Sequence, residues 1–272
     1  MAVALVTGAA RPRGIGRATA MQLARGGDDV VCLDIARPQD FAPAHTVASS
    51  DDLDSVVADI EALGRKAIAV RADVSDADAV SAAVAAGSDA LGVITKVANV
   101  AGGSGVGFGL GPLVSLPDDE FRKVLDVNLL GTWFVSKACA QRMIDAGVGG
   151  RIANVSSQAG KRPFPMIGAY CAAKAAVISL TQTMAWELGP SGISVNAVCP
   201  GTVDTDLVNP NGMFTMMMGG DVGAKEWIAR EIPLNRLQSA EEIAEALVWL
   251  LSDAARGVTG EAMNVSAGQT VT

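Results

Sequence analysis

The chain of 272 residues is half apolar and carries a net charge of −8 with acids and bases interleaved, which suits one large globular domain and argues against nucleic acid or an anionic membrane as partner. Four scattered cysteines, Cys32, Cys139, Cys171 and Cys199, lack metal-ligand spacing and read as reduced core residues, so no disulfide framework is expected. With His45 as the only histidine, a His-rich zinc site is excluded, a serine–histidine triad would have to use that residue, and no metal is expected.

Met1 to Val6 runs straight into a glycine turn without the charged and apolar regions of a signal peptide, and no apolar run is long enough to span a bilayer. The expectation is a soluble, cytoplasmic protein. Short β-branched runs then alternate with stretches of helical periodicity, which predicts βαβ units in a parallel sheet with helices on both faces. The first strand is expected at Val3 to Val6, followed by the turn and a helical run from Arg17 to Ala24. A second strand, Val30 to Asp34, ends on an acid and gives way to an irregular stretch, Arg37 to Ser50. Next come a helix at Asp51 to Leu63 and strands at Ala67 to Arg71 and Val97 to Val100. A long helix over Asp118 to Ala146 precedes a strand at Arg151 to Val155, and a helix over Gly168 to Leu188 precedes a strand at Ser194 to Cys199. Thr202 to Pro233, rich in Gly and Met, breaks the rhythm before a helix at Ala240 to Leu251 and a last strand at Ala262 to Val265. These seven strands fit one doubly wound, Rossmann-like α/β sheet, and with no linker composition anywhere, residues 1–272 read as a single domain.

The turn after the first strand reads Thr7-Gly8-Ala9-Ala10-Arg11-Pro12-Arg13-Gly14-Ile15-Gly16. Glycine lets a chain turn sharply and lets its backbone approach a pyrophosphate, which then rests on the free N–H groups opening the next helix. An ordinary strand-to-helix turn would look similar, but the place directly after a first strand favours the nucleotide reading. Asp34 stands twenty residues beyond Gly14, where an acid would accept hydrogen bonds from an adenosine ribose. It would repel the extra phosphate of NADP, so NAD is the expected cofactor, with Arg11, Arg13 and Arg37 near enough in sequence to soften the preference.

In Gly168-Ala169-Tyr170-Cys171-Ala172-Ala173-Lys174 a phenol and an ammonium lie one helical turn apart, on one face. A free tyrosine has a pKa of about 10, and making it a base near neutrality takes a drop of roughly two to three units, or about 3 to 4 kcal/mol, which a nearby cation could supply.

Together these motifs resemble those of the classical short-chain dehydrogenases/reductases over nearly the whole chain. The family's Thr-Gly-x-x-x-Gly-x-Gly turn is matched by Thr7, Gly8, Gly14 and Gly16 with two residues added before Gly14; Arg13, Ile15 and Ile35 join Asp34 as implied cofactor contacts. Asp73-Val74 matches the adenine-contacting Asp, and Asn99-Val100-Ala101-Gly102 matches Asn-Asn-Ala-Gly. There the second Asn, which braces the sheet, is replaced by Val100, so its role must be met elsewhere. Pro200-Gly201, with Val203 and Thr205, resembles the loop that holds the nicotinamide carboxamide. The family's tetrad falls on Asn128, Ser157, Tyr170 and Lys174; Ser157 rather than Ser156 fits by its distance of thirteen residues from Tyr170.

The resemblance implies that Tyr170 moves the substrate proton and Ser157 holds the reacting oxygen. Lys174 would lower the Tyr170 pKa and bind the nicotinamide ribose, and Asn128 would hold a water in a proton relay. By themselves, Asn128 could brace a helix and the two serines could end a strand. Met213, Met216, Met217 and Met218, near Gly212, Gly219 and Gly220, form either a mobile lid within 202–233 or part of the core. In the lid reading Met213 and Met217 touch substrate. The stretch Ala36 to Gly64 resembles the carveol dehydrogenase-type branch, whose members oxidise secondary alcohols, often terpenoid.

The expected function is NAD-dependent interconversion of a secondary alcohol and a ketone on a small, mainly apolar or cyclic substrate. Alternatives are a 3-oxoacyl thioester reductase or a catalytically silent nucleotide-binding protein. Enoyl reductases share a widened glycine turn but place Tyr and Lys farther apart. The family further implies a homotetramer with the two long helices at its interfaces.

Overall fold

The computed structural model describes residues 2–37, 48–209 and 213–271. The readings on His45 and most of the Arg37 to Ser50 stretch lie outside these residues, as does the side chain of Met213. The chain runs β1 (Val3–Thr7), α1 (Ile15–Arg25), β2 (Asp29–Asp34), α2 (Ser50–Ala62), β3 (Ala67–Arg71), α3 (Ala77–Leu91) and β4 (Ile94–Asn99). It continues through α4 (Asp118–Leu125), α5 (Gly131–Asp145), β5 (Gly150–Val155), α6 (Gly168–Leu188) and β6 (Ile193–Pro200). Then follow α7 (Met213–Met217), α8 (Gly220–Glu231), α9 (Ala240–Leu250) and β7 (Ala262–Val265).

Side chains alternate faces along a strand. Ala4, Val6, Val30 and Cys32 join Leu23, Val56, Ile60, Ile243 and Leu247 of α1, α2 and α9 in one buried layer. Leu5, Val31 and Leu33 join Val84, Val135, Cys139 and Met143 of α3 and α5 in the other. Both faces of the sheet are therefore covered, as all-parallel sheets require. Each fully buried leucine or valine contributes about 1.5–3 kcal/mol by leaving water. All strand pairings are parallel and the order is β3-β2-β1-β4-β5-β6-β7, one doubly wound sheet as the alternation predicts.

The structure departs from the expected elements in three places. The helix expected over Asp118 to Ala146 is broken by a π-helical turn at Asp126–Leu130. There Asn128 Nδ2 takes the Val124 carbonyl at 2.9 Å, and Gly131 N–H reaches back five residues to the Asp126 carbonyl. The helix α3 was not delimited from sequence; it opens on Asp76, whose carboxylate accepts from the N–H groups of Asp78 and Ala79. The irregular stretch Thr202 to Pro233 contains the helices α7 and α8, joined through Gly219 and Gly220 at φ +86° and +88°. Among the described residues no helix is long and apolar enough to cross a membrane.

Candidate active site

The neighbours of β1 in the sheet are β2 and β4, so the loops leaving β1 and β4 part in opposite directions and open a crevice at the strands' C-terminal ends. A cleft of about 320 Å³ lies there, lined by Gly8, Gly14, Ile15, Gly16, Asp34, Ile35, Asp73, Val74, Ala101, Gly102 and Thr205 among others. The glycines are steric requirements. A Cβ on Gly16 would stand 2.1 Å from the Gly8 carbonyl oxygen. Gly8 itself turns at φ +67°. The two added residues are absorbed in a tight turn closed by a 3.0 Å hydrogen bond from Gly14 N–H to the Arg11 carbonyl. Gly14 then caps α1 with no side chain on its N–H groups and no acid in the first turn, which leaves that end suited to an anion.

Asp34 is buried, and its carboxylate is fixed from both sides: Ala10 N–H donates to Oδ2 and Ala36 N–H to Oδ1, each at 3.0 Å. Arg11, which sequence reasoning left out of the contact set, also lines the cleft. Burial lowers its pKa, while Asp34 and Asp206 raise it. Arg37 stands 3.7 Å from Asp73. The arginines that could have favoured a 2′-phosphate are thus matched by acids. Bare glycine backbone, an uncapped helix start and a fixed acid at the end of β2 fit a dinucleotide whose ribose carries free hydroxyls.

Gly102 links this cleft to Asn128 and Lys174. A Cβ there would lie 2.5 Å from Asn128 Oδ1 and 3.3 Å from Lys174 Nζ. Asn128, on the π turn, is buried and grips Gly103 in both directions: Gly103 N–H donates to Oδ1 and Nδ2 donates to the Gly103 carbonyl, each at 2.9 Å. Ser156 and Ser157 part ways at the end of β5. Ser156 Oγ donates to the Lys174 carbonyl at 2.8 Å and serves packing, whereas Ser157 Oγ accepts from Ala159 N–H at 3.1 Å and lies near enough to Tyr170 to pull the phenol's pKa down. Lys174 is buried on α6, its Nζ 2.8 Å from the Val155 carbonyl and 5.5 Å from the centre of the Tyr170 ring.

One expectation is corrected here. The Tyr170 pKa is pushed up to about 12, chiefly by burial, against the pull of the Ser157 hydrogen bond. The Lys174 pKa is lowered to about 8, again by burial. Lys174 is buried and Tyr170 half-buried, and in both the loss of water penalises the charged form. Tyr170 therefore holds its proton at neutral pH. The core reading holds for three of the four cysteines: burial raises Cys32 and Cys139 to about 12 and also raises Cys199, leaving unreactive thiols, whereas Cys171 on α6 is only half-buried.

Other predicted residues sit apart from the cleft lining. Asn99 turns into the interior, where its Nδ2 donates to Ser136 Oγ and Asn154 Oδ1 at 2.8 Å each. This bond across β4 and β5, with Thr7 Oγ1 accepting from Val100 and Ala101 N–H, does the bracing that Val100 cannot. Arg13 points to the loop beyond β6, 2.9 Å from Asp204 and 3.6 Å from Asp206. Thr205 lines the cleft while Pro200, Gly201 and Val203 do not, and Leu207, which no motif points to, also lines it and packs 2.9 Å from where a Gly103 Cβ would be. Met216 and Met217 are exposed rather than core, and Phe214 anchors their helix by packing edge-on against Trp227 at 5.2 Å.

A family model described as enoyl-(acyl carrier protein) reductase matches residues 8–270. An uncharacterised NAD-dependent oxidoreductase of Mycobacterium tuberculosis is 37% identical over 98% of this chain and 94% of its own length. The (−)-trans-carveol dehydrogenase of Rhodococcus erythropolis is 34% identical, covering 99% of this chain and 97% of the relative. Among solved structures, the carveol dehydrogenase of Mycobacterium avium in complex with NAD is similar, with a TM-score of 0.90, 33% identity and coverage of 98% of this chain and 97% of that one.

Proposed function

From the premise that the chain belongs to the short-chain dehydrogenase/reductase family and is an NAD-dependent oxidoreductase acting on alcohol groups, we propose that it interconverts a secondary alcohol and a ketone on a small, mainly apolar or cyclic substrate. The observation that carries this reading is Lys174, buried on α6 with its Nζ 5.5 Å from the centre of the Tyr170 ring and 3.3 Å from where a Cβ on Gly102 of the cleft would stand. Asp34 and Asp73 hold the adenosine end, the Gly8 to Gly16 turn the pyrophosphate, and Val203 with Thr205 the carboxamide. When bound, the nicotinamide supplies the hydride donor or acceptor.

Tyr170 gives its phenolic proton to a ketone oxygen, or takes the proton of an alcohol once ionised; Ser157 holds that oxygen in place. Lys174 stabilises the phenolate that ketone reduction leaves. Asn128 keeps Gly103, and with it the cleft wall beside Lys174, in one position. The exposed Met216 and Met217 serve as the face of a lid, hinged at Gly219 and Gly220, which suits an apolar substrate. Trp186 on α6, 87% exposed, and Trp133 on α5 mark the faces on which a homotetramer forms.

A Tyr170→Phe variant should keep NAD affinity and lose turnover by roughly a hundredfold or more. Near-normal turnover would overturn the mechanism. A screen of secondary alcohols and ketones with NAD and NADP, read by absorbance of the reduced nicotinamide, tests the substrate class. The description of the matching family model favours a second reading, reduction of an acyl thioester. Including a 3-oxoacyl and an enoyl thioester in the same screen separates the two; the four-residue interval from Tyr170 to Lys174 speaks against the enoyl substrate.

A further inference from the structure

Gly201 and Thr202 leave β6 to open the loop that carries Val203 and Thr205, and two glutamines from distant parts of the chain meet them there. Gln238, buried just before α9, accepts from Gly201 N–H through Oε1 at 3.2 Å, sharing that hydrogen with the Val265 carbonyl of β7, also at 3.2 Å. Its backbone continues the pairing: Gln238 N–H donates to the Thr202 carbonyl at 3.2 Å, and Asp204 N–H to the Gln238 carbonyl at 2.8 Å. Gln269, also buried, accepts through Oε1 from Thr202 N–H at 2.9 Å and from the Thr202 hydroxyl at 3.0 Å.

Local structure delivers both side chains. A capping box between Ser239 and Glu242 fixes the start of α9 and so the residue before it. On the other side, Ala267 and Gly268 fold the chain back at φ +52° and +85°, bringing Gln269 so close that a Cβ on Gly201 would stand 2.9 Å from its Oε1.

A backbone N–H only donates, so the oxygen of each amide, not the nitrogen, must face Gly201 and Thr202. Gln269 Nε2 is then left buried without a hydrogen-bond partner among the described residues. An unpaired buried donor is unfavourable. Methionine would fill the same space without that penalty, so space-filling does not account for the glutamine; its acceptor end does.

We propose that Gln238 and Gln269 are positioning residues that lock Gly201 and Thr202 from two sides and so hold the nicotinamide-side loop ready for the cofactor. This rests on the NAD-dependent dehydrogenase reading. The lock acts on the nicotinamide end alone, because the adenosine end is held by β1, β2 and β3 across the cleft.

The test uses the full chain and two probes, NAD and ADP-ribose, which lacks the nicotinamide. Gln269→Met should weaken NAD binding about tenfold, as expected for loss of a doubly used buried acceptor, and leave ADP-ribose within about twofold. Gln269→Glu, which keeps an acceptor oxygen, should restore NAD affinity to within about threefold of the parent. Amide exchange at Thr202 should quicken in Gln269→Met without any cofactor. Equal weakening of NAD and ADP-ribose, or unchanged exchange at Thr202, would overturn the lock. If Gln269→Met does not fold, Gln238→Met should weaken NAD binding by about threefold or more and leave ADP-ribose unchanged, and equal weakening of the two would overturn the lock. Failure of the parent protein to bind NAD would instead defeat the dehydrogenase reading, with amide exchange still deciding the lock.

Discussion

The turn that opens α1 and the loop that leaves β6 face one cleft, yet they are held by different means. In the turn the backbone excludes alternatives by its own bulk: Gly16 presses on the Gly8 carbonyl, and Gly8 on the backbone of Ala101. In the loop beyond β6 the backbone is tied by side chains that arrive from elsewhere, Gln238 and Gln269, while Arg13 holds the Asp204 side chain. A constraint made of missing side chains is all-or-none, whereas one made of hydrogen bonds comes apart in steps. The first suits a site for a constant group such as pyrophosphate, and the second suits a segment that carries a lid.

The sharpest break in this comparison is Gly16→Ala. The new Cβ would meet a backbone oxygen at 2.1 Å, which no side-chain rotation relieves, so the turn must move. NAD affinity measured calorimetrically should fall by more than about a hundredfold, some 3 kcal/mol or more. A loss below tenfold would show that the turn tolerates displacement and that its rigidity is overstated.

On the other side of the cleft, Phe214→Ala should act locally. Removing a buried aromatic costs about 3–5 kcal/mol where the structure cannot collapse, and here the loss falls on the contact with Trp227 that joins α7 to α8. Proteolysis between Met216 and Gly220 should speed up by about tenfold or more, with the global melting temperature little changed. A large fall in the melting temperature with no change in cleavage would mean that this segment belongs to the core rather than to a lid.

Legibility in the sequence follows the same division. Gly8, Gly14, Gly16, Asp34 and Asp73 were readable because each is the residue type that the geometry demands at its place in the chain. Tyr170, Lys174, Ser157 and Asn128 were readable through motif order, and the structure brings Asn128 and Lys174 against Gly102. The loop contacts were not readable, since nothing in Gln238 or Gln269 announces a partner at 201–202, and Leu207 reaches Gly103 only through the fold. Nor was the direction of the Tyr170 shift: helical spacing gives the distance between two charges but not how much water surrounds them. The π turn at Asp126–Leu130 escaped for a related reason, because Asn128 competes with its own helix for the Val124 carbonyl only once Gly103 has fixed its amide.

The opposite pKa shifts of Tyr170 and Lys174 have a consequence for stability with a definite sign. Lys174, held near pKa 8 against an ordinary 10.5, is penalised while charged; the penalty is full below about pH 8 and lifts as pH rises toward 10.5. Tyr170, raised to about 12, works the other way above pH 10, where the unfolded chain ionises first and stability falls. Lys174→Met should therefore be more stable than the parent to denaturant at pH 7.5, and that advantage should shrink toward pH 10 by at most about 1.4 kcal/mol per unit. An advantage constant with pH would mean that Lys174 titrates normally.

The smallest effect is expected where the two regions touch. Arg13, one of the residues that the enlarged turn accommodates, reaches across to Asp204 and Asp206, but its side chain and that of Asp204 are 51% and 41% exposed. Water and salt screen such a pair, and its worth is about 0–1 kcal/mol. Arg13→Ala should accordingly shift the melting temperature by no more than about 2–4 °C, and less at high salt. NAD affinity should change by less than about threefold, since the guanidinium is engaged with acids on the loop. A tenfold loss of affinity that vanishes with added salt would have the opposite meaning: Arg13 would then leave Asp204 for the cofactor phosphates, and the loop beyond β6 would be released from the turn when the cofactor binds.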